Sequence, residues 1–320
     1  MEINEKSIKI WSTIGPRATL GMAALELAKK IDNLMVLTCD VSTSAGLDRF
    51  RKTYPEKYLD IGIAEQNMIG VAAGLASENF NVITTTFAPF QTMRCCEQIK
   101  VNLGYMKQKV CMVGIASGLV LGTLGYTHCC IEDIGALRSI PGLTIISPAD
   151  SLETIKALEA AVKFQGPTYI RLTGSSNNPI VYKSDYDFEI GKSITLKDGE
   201  DVTIFCAGTM VSASLEAAKI LDTKKISTKV VNMHTIKPID KKAVDEACQS
   251  KLIVSVEEHN VIGGLGSAIS EYKSTLDKTP RQLFLGVKDF YSKGGNYKFL
   301  LEKHRLSSEK IVDDIVNFIN

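Results

Sequence analysis

A carboxylate set between a glycine turn and a run of small apolar residues is the first group in this chain with the chemistry of a catalyst. Glu65 stands in Asp60-Ile61-Gly62-Ile63-Ala64-Glu65-Gln66-Asn67-Met68, directly ahead of IGVAAGLA. That setting desolvates Glu65, and a buried carboxylate needs a partner. The residues alone allow two roles, a proton-sharing acid or a helix N-terminal Glu that satisfies first-turn amides. Phe87 and Phe90, spaced F-x-x-F after NVITTTF, read on their own as core aromatics. Gly263-Gly264-Leu265-Gly266 invites a dinucleotide site, but G-x-G-x-x-G counted from Gly264 fails at Ile269, which leaves a tight turn with close helix packing. Histidines 128, 234, 259 and 304 have no metal-ligand spacing, His234 and His259 read as structural, and neither G-x-x-x-x-G-K-[ST] nor G-x-S-x-G occurs.

The elements that must hold these groups alternate along the chain. Strand-like runs at 34–40, 81–87, 109–115, 143–149 and 167–172 are separated by helical patterns at 18–31, 65–79, 90–104, 131–140 and 151–164. A polar stretch at 174–192 interrupts this rhythm. Strands at 202–208, 227–233, 251–258 and 281–287 then alternate with helices at 211–221, from 240, at 266–276 and at 307–319. The pattern predicts an α/β protein of two tandem domains, residues 1–184 and 185–320, each a mostly parallel sheet flanked by helices. In such sheets ligands sit outside the carboxyl ends of the strands.

Composition narrows the function. The 320 residues are 45% hydrophobic and 23% charged, which is globular, and a net charge of +1 gives no field for nucleic acid or an anionic membrane. Eight cysteines without C-x-x-C read as reduced, mostly core cysteine, and the amino-terminal MEINEKSIKIW has no apolar signal segment, so a cytoplasmic location is expected. Residues 110–131 carry no charge and have glycines at 114, 118 and 122, the spacing of membrane helix contacts. Ser117, Thr123, Thr127 and His128 argue instead for a buried strand and a glycine-rich loop, so no membrane span is expected.

Taken in order, DIGIAEQNMIGVAAGLA, TTTFAPFQTMRCCEQIK, GLVLGTLGYTHCCIEDIGALRSIPGLTIISPAD, HTIKPID and VSVEEHNVIGGLGSAISE resemble the transketolase family. The likeness is to its pyrimidine-binding and carboxyl-terminal domains and covers nearly the whole chain. It implies that Glu65, matching the Glu of G-I-x-E, bonds the aminopyrimidine of thiamine diphosphate and promotes its imino tautomer. It further implies that Phe87 and Phe90 pack on the pyrimidine, that Ile63 wedges the bent cofactor, and that Asp40 lies near the thiazolium. Arg17 and Ser44 match phosphate-binding positions, and His128 matches a His that contacts donor and acceptor oxygens. The G-D-G…N motif that holds Mg²⁺ and diphosphate is missing, since the only Asp-Gly is Asp198-Gly199. The resemblance therefore implies the carboxyl-terminal subunit of a split enzyme. An amino-terminal transketolase subunit would supply the metal half, in an α2β2 heterotetramer, and the isolated chain would be inactive.

Three companions of the substrate site are replaced: Leu124 for an Asp that reads a sugar hydroxyl, Ala116 for a phosphate-contacting His, and Gly174 for an Arg. Such groups supply charge-assisted bonds of roughly 1.5–3 kcal/mol each. The expected reaction is transfer of a two-carbon ketol unit from a ketose to an aldehyde or keto-sugar acceptor other than the pentose phosphates, such as a nucleotide-linked sugar. Two alternatives remain open on this reading: a decarboxylating relative of the deoxyxylulose-phosphate synthase or 2-oxoacid dehydrogenase E1 β type, and a non-catalytic assembly subunit.

Overall fold

Apolar runs bounded by glycine and polar turns become strands in the computed structural model, which describes residues 1–319. The first half comprises α1 (Glu5–Ala28), β1 (Leu34–Thr38), α2 (Asp48–Thr53), β2 (Tyr58–Asp60), α3 (Glu65–Ser77), β3 (Asn81–Phe87), α4 (Ala88–Gln91), α5 (Cys96–Gln98), β4 (Val110–Ile115), α6 (Asp133–Arg138), β5 (Thr144–Ile146), α7 (Ser151–Lys163) and β6 (Thr168–Arg171). The second half comprises β7 (Ile194–Lys197), β8 (Val202–Cys206), α8 (Met210–Thr223), β9 (Thr228–Asn232), β10 (Thr235–Lys237), α9 (Lys241–Ala247), β11 (Leu252–Asn260), α10 (Leu265–Lys273), β12 (Arg281–Val287), α11 (Tyr297–Lys303) and α12 (Ser308–Ile319).

Two sheets result, ordered β10-β5-β6-β4-β3-β1-β2 and β12-β11-β8-β9-β7. All neighbours are parallel except two edge strands, β10 on β5 and β7 on β9. The central strands are apolar on both faces because helices cover both; β4 is buried at all six residues. Residues 110–131 are thus a buried strand and the loop after it. Among the described residues no helix is long and apolar enough to cross a membrane.

Three features depart from the sequence reading. The first helical pattern begins at Glu5, not residue 18, because Asn4 and Ser7 form a capping box. Gly15 at φ +82°, followed by Pro16, bends that helix, and a Cβ on Gly15 would stand 2.7 Å from the Ser175 carbonyl oxygen. The pattern at 90–104 breaks into α4, α5 and a wide-turned helix over Ile99–Tyr105. Strands β2, β7 and β10 and helix α11 are too short or too polar to have announced themselves. Of these β10 matters most, since it carries the second half of the chain into the first sheet.

Candidate active site

Four adjacent strands, β2, β1, β3 and β4, end on one edge, and the turns that leave them carry most of the predicted site residues. Asp60, the last residue of β2, organises the first of these turns. Its Oδ1 accepts the backbone N–H groups of Asp40 and Gly62, both at 2.9 Å. Its Oδ2 accepts the hydroxyls of Thr38 and Tyr58 at 3.2 Å. Burial opposes ionisation, but these four donors outweigh it and hold the Asp60 carboxyl below the usual range. Asp60 thereby ties Asp40, exposed and at φ 55°, to the turn that presents Ile63 and Glu65. Ile63 is 77% exposed, an unusual position for an isoleucine.

Glu65 opens α3 and is 3% exposed. Its side chain does not cap the helix amides. Instead Oε2 accepts from Arg94 Nη1 at 2.7 Å, and Arg94 is its sole ion-pair partner among the described residues. Beneath it lie Cys39, Met68 and Cys95, all buried. Burial, and after it the negative charge of Glu65, push the Cys95 thiol up to about 12. Phe87 and Phe90 are half-buried and meet edge to face with centroids 6.4 Å apart. The far edge of this pair is His128, 5.5 Å from Phe90 at 74°, with its Nδ1 3.0 Å from Thr127 Oγ1. Around the end of β3, Thr85 Oγ1, Thr86 Oγ1 and Gln91 Oε1 are buried and lack hydrogen-bond partners among the described residues.

The loop that carries His128 is held at both ends. Gly118 and Cys130 exchange backbone hydrogen bonds at 2.8 and 2.9 Å. Leu119 N–H donates to Glu258 Oε1 at 2.6 Å, and Arg171 Nη2 donates to the carbonyls of Cys130 and Glu258 at 3.0 and 2.9 Å. Arg171 Nε meets both oxygens of Asp133. In the middle, Tyr126 OH lies 2.9 Å from His304 Nε2. Glu258 and His304 belong to the second half of the chain, which thus positions a loop of the first.

Arg17 and Ser44 face each other, Arg17 Nη1 donating to the Ser44 carbonyl at 3.5 Å. Among the described residues no hydrogen bond joins them to Glu65 or His128. The replaced positions have local causes. Gly174 has φ +85°, and a Cβ there would stand 2.6 Å from Asn178 Oδ1. Ala116 is buried with φ 52°, whereas Leu124 is 58% exposed.

The glycines of the 263–266 turn admit no nucleotide phosphate. The amides of Leu265 and Gly266 at the start of α10 are taken by Glu257, at 2.7 and 2.9 Å. Burial pushes that carboxyl up to about 7. Among the described residues no three His, Cys, Asp or Glu side chains cluster as a metal site. Sequence reasoning missed Arg94, Asp60, Glu258 and His304. Arg94 had one signal: it is the first charged residue after Glu78, four beyond Phe90.

Known proteins can now be set beside this geometry. The family model for the transketolase pyrimidine binding domain matches residues 12–178, and that for the transketolase C-terminal domain matches residues 191–311. The chain belongs to the transketolase family. The 6-deoxy-6-sulfo-D-fructose transketolase subunit SqwH of Clostridium sp. is 37% identical over 90% of this chain and 89% of its own length. An apulose-4-phosphate transketolase subunit of Phocaeicola vulgatus is 35% identical over 92% of this chain and 94% of its own. A split-gene transketolase, solved as an inactive β4 tetramer, superposes with a TM-score of 0.86 at 36% identity, over 95% of this chain and 97% of that one. The present chain is a transketolase-family enzyme subunit of the separately encoded kind.

Proposed function

We propose that the chain is the carboxyl-terminal subunit of a thiamine-diphosphate-dependent, transferase-type enzyme that moves a two-carbon ketol unit between sugars, with its domain boundary between residues 184 and 185. The observation that carries this reading is a buried carboxylate, Glu65, beside an aromatic pair whose outer edge is His128. The set of side chains suits the pyrimidine half of the cofactor: one buried carboxylate that accepts a hydrogen bond and an aromatic face on which a flat ring can rest. It does not suit the diphosphate, for which an amino-terminal partner with G-D-G…N and Mg²⁺ is required, in an α2β2 assembly. When bound, thiamine diphosphate would supply the nucleophile and electron sink that breaking and remaking a carbon–carbon bond beside a ketose carbonyl requires.

The chain's own residues do the rest. Glu65 holds a proton between its carboxyl and a ring nitrogen. Phe87 and Phe90 would clamp the ring and exclude water, Ile63, with its exposed side chain, would wedge against the cofactor, and Asp40 would lie on the thiazolium side. His128 hydrogen-bonds the substrate oxygens, and Arg17 with Ser44 receives the far end of the sugar. The replacement of Asp, His and Arg by Leu124, Ala116 and Gly174 favours an acceptor other than an ordinary phosphorylated pentose, one whose anionic group lies further out, as in a nucleotide sugar. Substitution Glu65→Gln in the reconstituted pair tests the reading. Turnover should fall by about 10²–10⁴ with the fold intact; undiminished turnover refutes it, and carbon dioxide release from pyruvate would move the enzyme to the decarboxylating class.

A further inference from the structure

Arg94 has no part in the function proposed above, yet it is the side chain in closest company with Glu65. Nη1 donates to Glu65 Oε2 at 2.7 Å while the guanidinium carbon lies 4.2 Å from the centroid of Phe90. One flat cation thus satisfies the carboxylate and covers the ring. These are the two features that the proposed function reserves for an aminopyrimidine, which is likewise flat and likewise presents nitrogen to a carboxylate. Both cannot be held at once.

We infer that Arg94 occupies the pyrimidine position in the cofactor-free chain, so that cofactor loading is an exchange in which the ring displaces the guanidinium from Glu65 and from the face of Phe90. The inference rests on the reading of Glu65 and Phe90 given above. It also answers a physical question that reading leaves open: what keeps a 3% exposed carboxylate tolerable before the cofactor arrives. Arg94 itself is 43% exposed, so it reaches solvent without opening the core. Its neighbours on either side differ, Met93 being exposed and Cys95 buried, which puts Arg94 at the rim where a side chain can turn outward. Because the guanidinium is half solvated, its hold on Glu65 is modest and a tightly held ring can overcome it.

Thiamine diphosphate with Mg²⁺ is titrated by calorimetry into the chain assembled with its amino-terminal partner, as wild type, Arg94→Ala, Arg94→Gln and Glu65→Gln. Removing the competitor should tighten cofactor binding about tenfold in both Arg94 variants, equivalent to about 1.4 kcal/mol, and should enlarge the thermal shift on adding cofactor. Binding equal to wild type in both variants overturns the inference, and weaker binding in both overturns it and makes Arg94 a member of the bound site. Glu65→Gln separates the two levels. If it binds cofactor and turns over as wild type does, the reading of Glu65 fails, whatever Arg94 does; if turnover collapses while the Arg94 variants bind no tighter, only the exchange fails.

Discussion

Replacing Glu258 with Ala tests whether the second half of the chain governs the loop that carries His128. Glu258 is buried, with Oε1 accepting Leu119 N–H at 2.6 Å and Oε2 accepting the hydroxyls of Thr209 at 2.7 Å and Tyr297 at 2.6 Å. Truncation orphans a buried amide, which costs about 2 kcal/mol. The two hydroxyls already lie 3.2 Å apart and can satisfy each other, so their loss adds about 1 kcal/mol. The one buried methylene that is lost, Cγ, is worth about 0.8 kcal/mol more. Burial pushes the Glu258 carboxyl above its usual range, so its removal also relieves some desolvation, and a net loss of about 3 kcal/mol is expected. Arg171 keeps its bond to residue 258, which is to the backbone carbonyl, so the domain contact survives. Urea unfolding of the assembled enzyme measures the stability. Steady-state kinetics should show kcat falling at least about tenfold as the loop loses its anchor at Leu119, with cofactor affinity unchanged. A stability loss below about 1 kcal/mol, or a full loss of stability with kcat untouched, refutes the reasoning. A cycle with Tyr297→Phe should give coupling of at least about 0.5 kcal/mol, since the two side chains share one bond.

Other outcomes follow from the same structure. Gly174→Ala should destabilise by about 2 kcal/mol in urea, because φ +85° disfavours any Cβ and the new atom would stand 2.6 Å from Asn178 Oδ1. Burial, opposed by Asp133, lowers His259 to about 4, below the ordinary 6.5 of an exposed imidazole. Its stabilising contribution is full above pH 6.5 and is lost as pH falls toward 4, about 3 kcal/mol in all. Glu257, raised to about 7, acts in the opposite sense, its contribution fading as pH rises from 4.5 to 7. The clean measurement is therefore the stability difference between wild type and His259→Gln, which should change by about 3 kcal/mol between pH 7 and pH 4. Leu124→Asp, at an exposed position, should alter stability by less than about 0.5 kcal/mol and raise kcat/KM for phosphorylated aldoses.

The alternation of strands and helices was legible because each central strand is buried on both faces and so reads as an unbroken apolar run, β4 being the clearest. Strand β10 was not legible. Three residues carry no periodicity, and their place beside β5 is fixed by packing between the two halves of the chain. The α4–α5 region misled for a related reason: its helical pattern is real, but Pro89 and the break after Gln91 split it. Glu65 stood out because a carboxylate sat between a glycine turn and an apolar run, whereas Phe87, Phe90 and His128 became site residues only through the family resemblance. Asp60 and Glu258 did not stand out, since their work is to hold backbone amides of residues far along the chain, and no local spacing announces a bond between Leu119 and Glu258.

The same distinction separates the three replaced substrate positions. A missing side chain at an exposed position on a permissive backbone can be restored by one substitution, whereas one at a strained glycine or in a filled core cannot. Gly174 has φ +85° with Asn178 against it, so an Arg there would need the main chain to move, while Ala116 is buried, so a His there would need its packed neighbours to move. Leu124 has neither obstacle. Loss of the two phosphate-binding groups is therefore built into the course of the chain, while loss of the hydroxyl-reading carboxylate is a change of one exposed side chain. A preference against terminal phosphates should accordingly survive any single substitution at Gly174 or Ala116, and selectivity toward the acceptor's hydroxyls should respond to Leu124 alone.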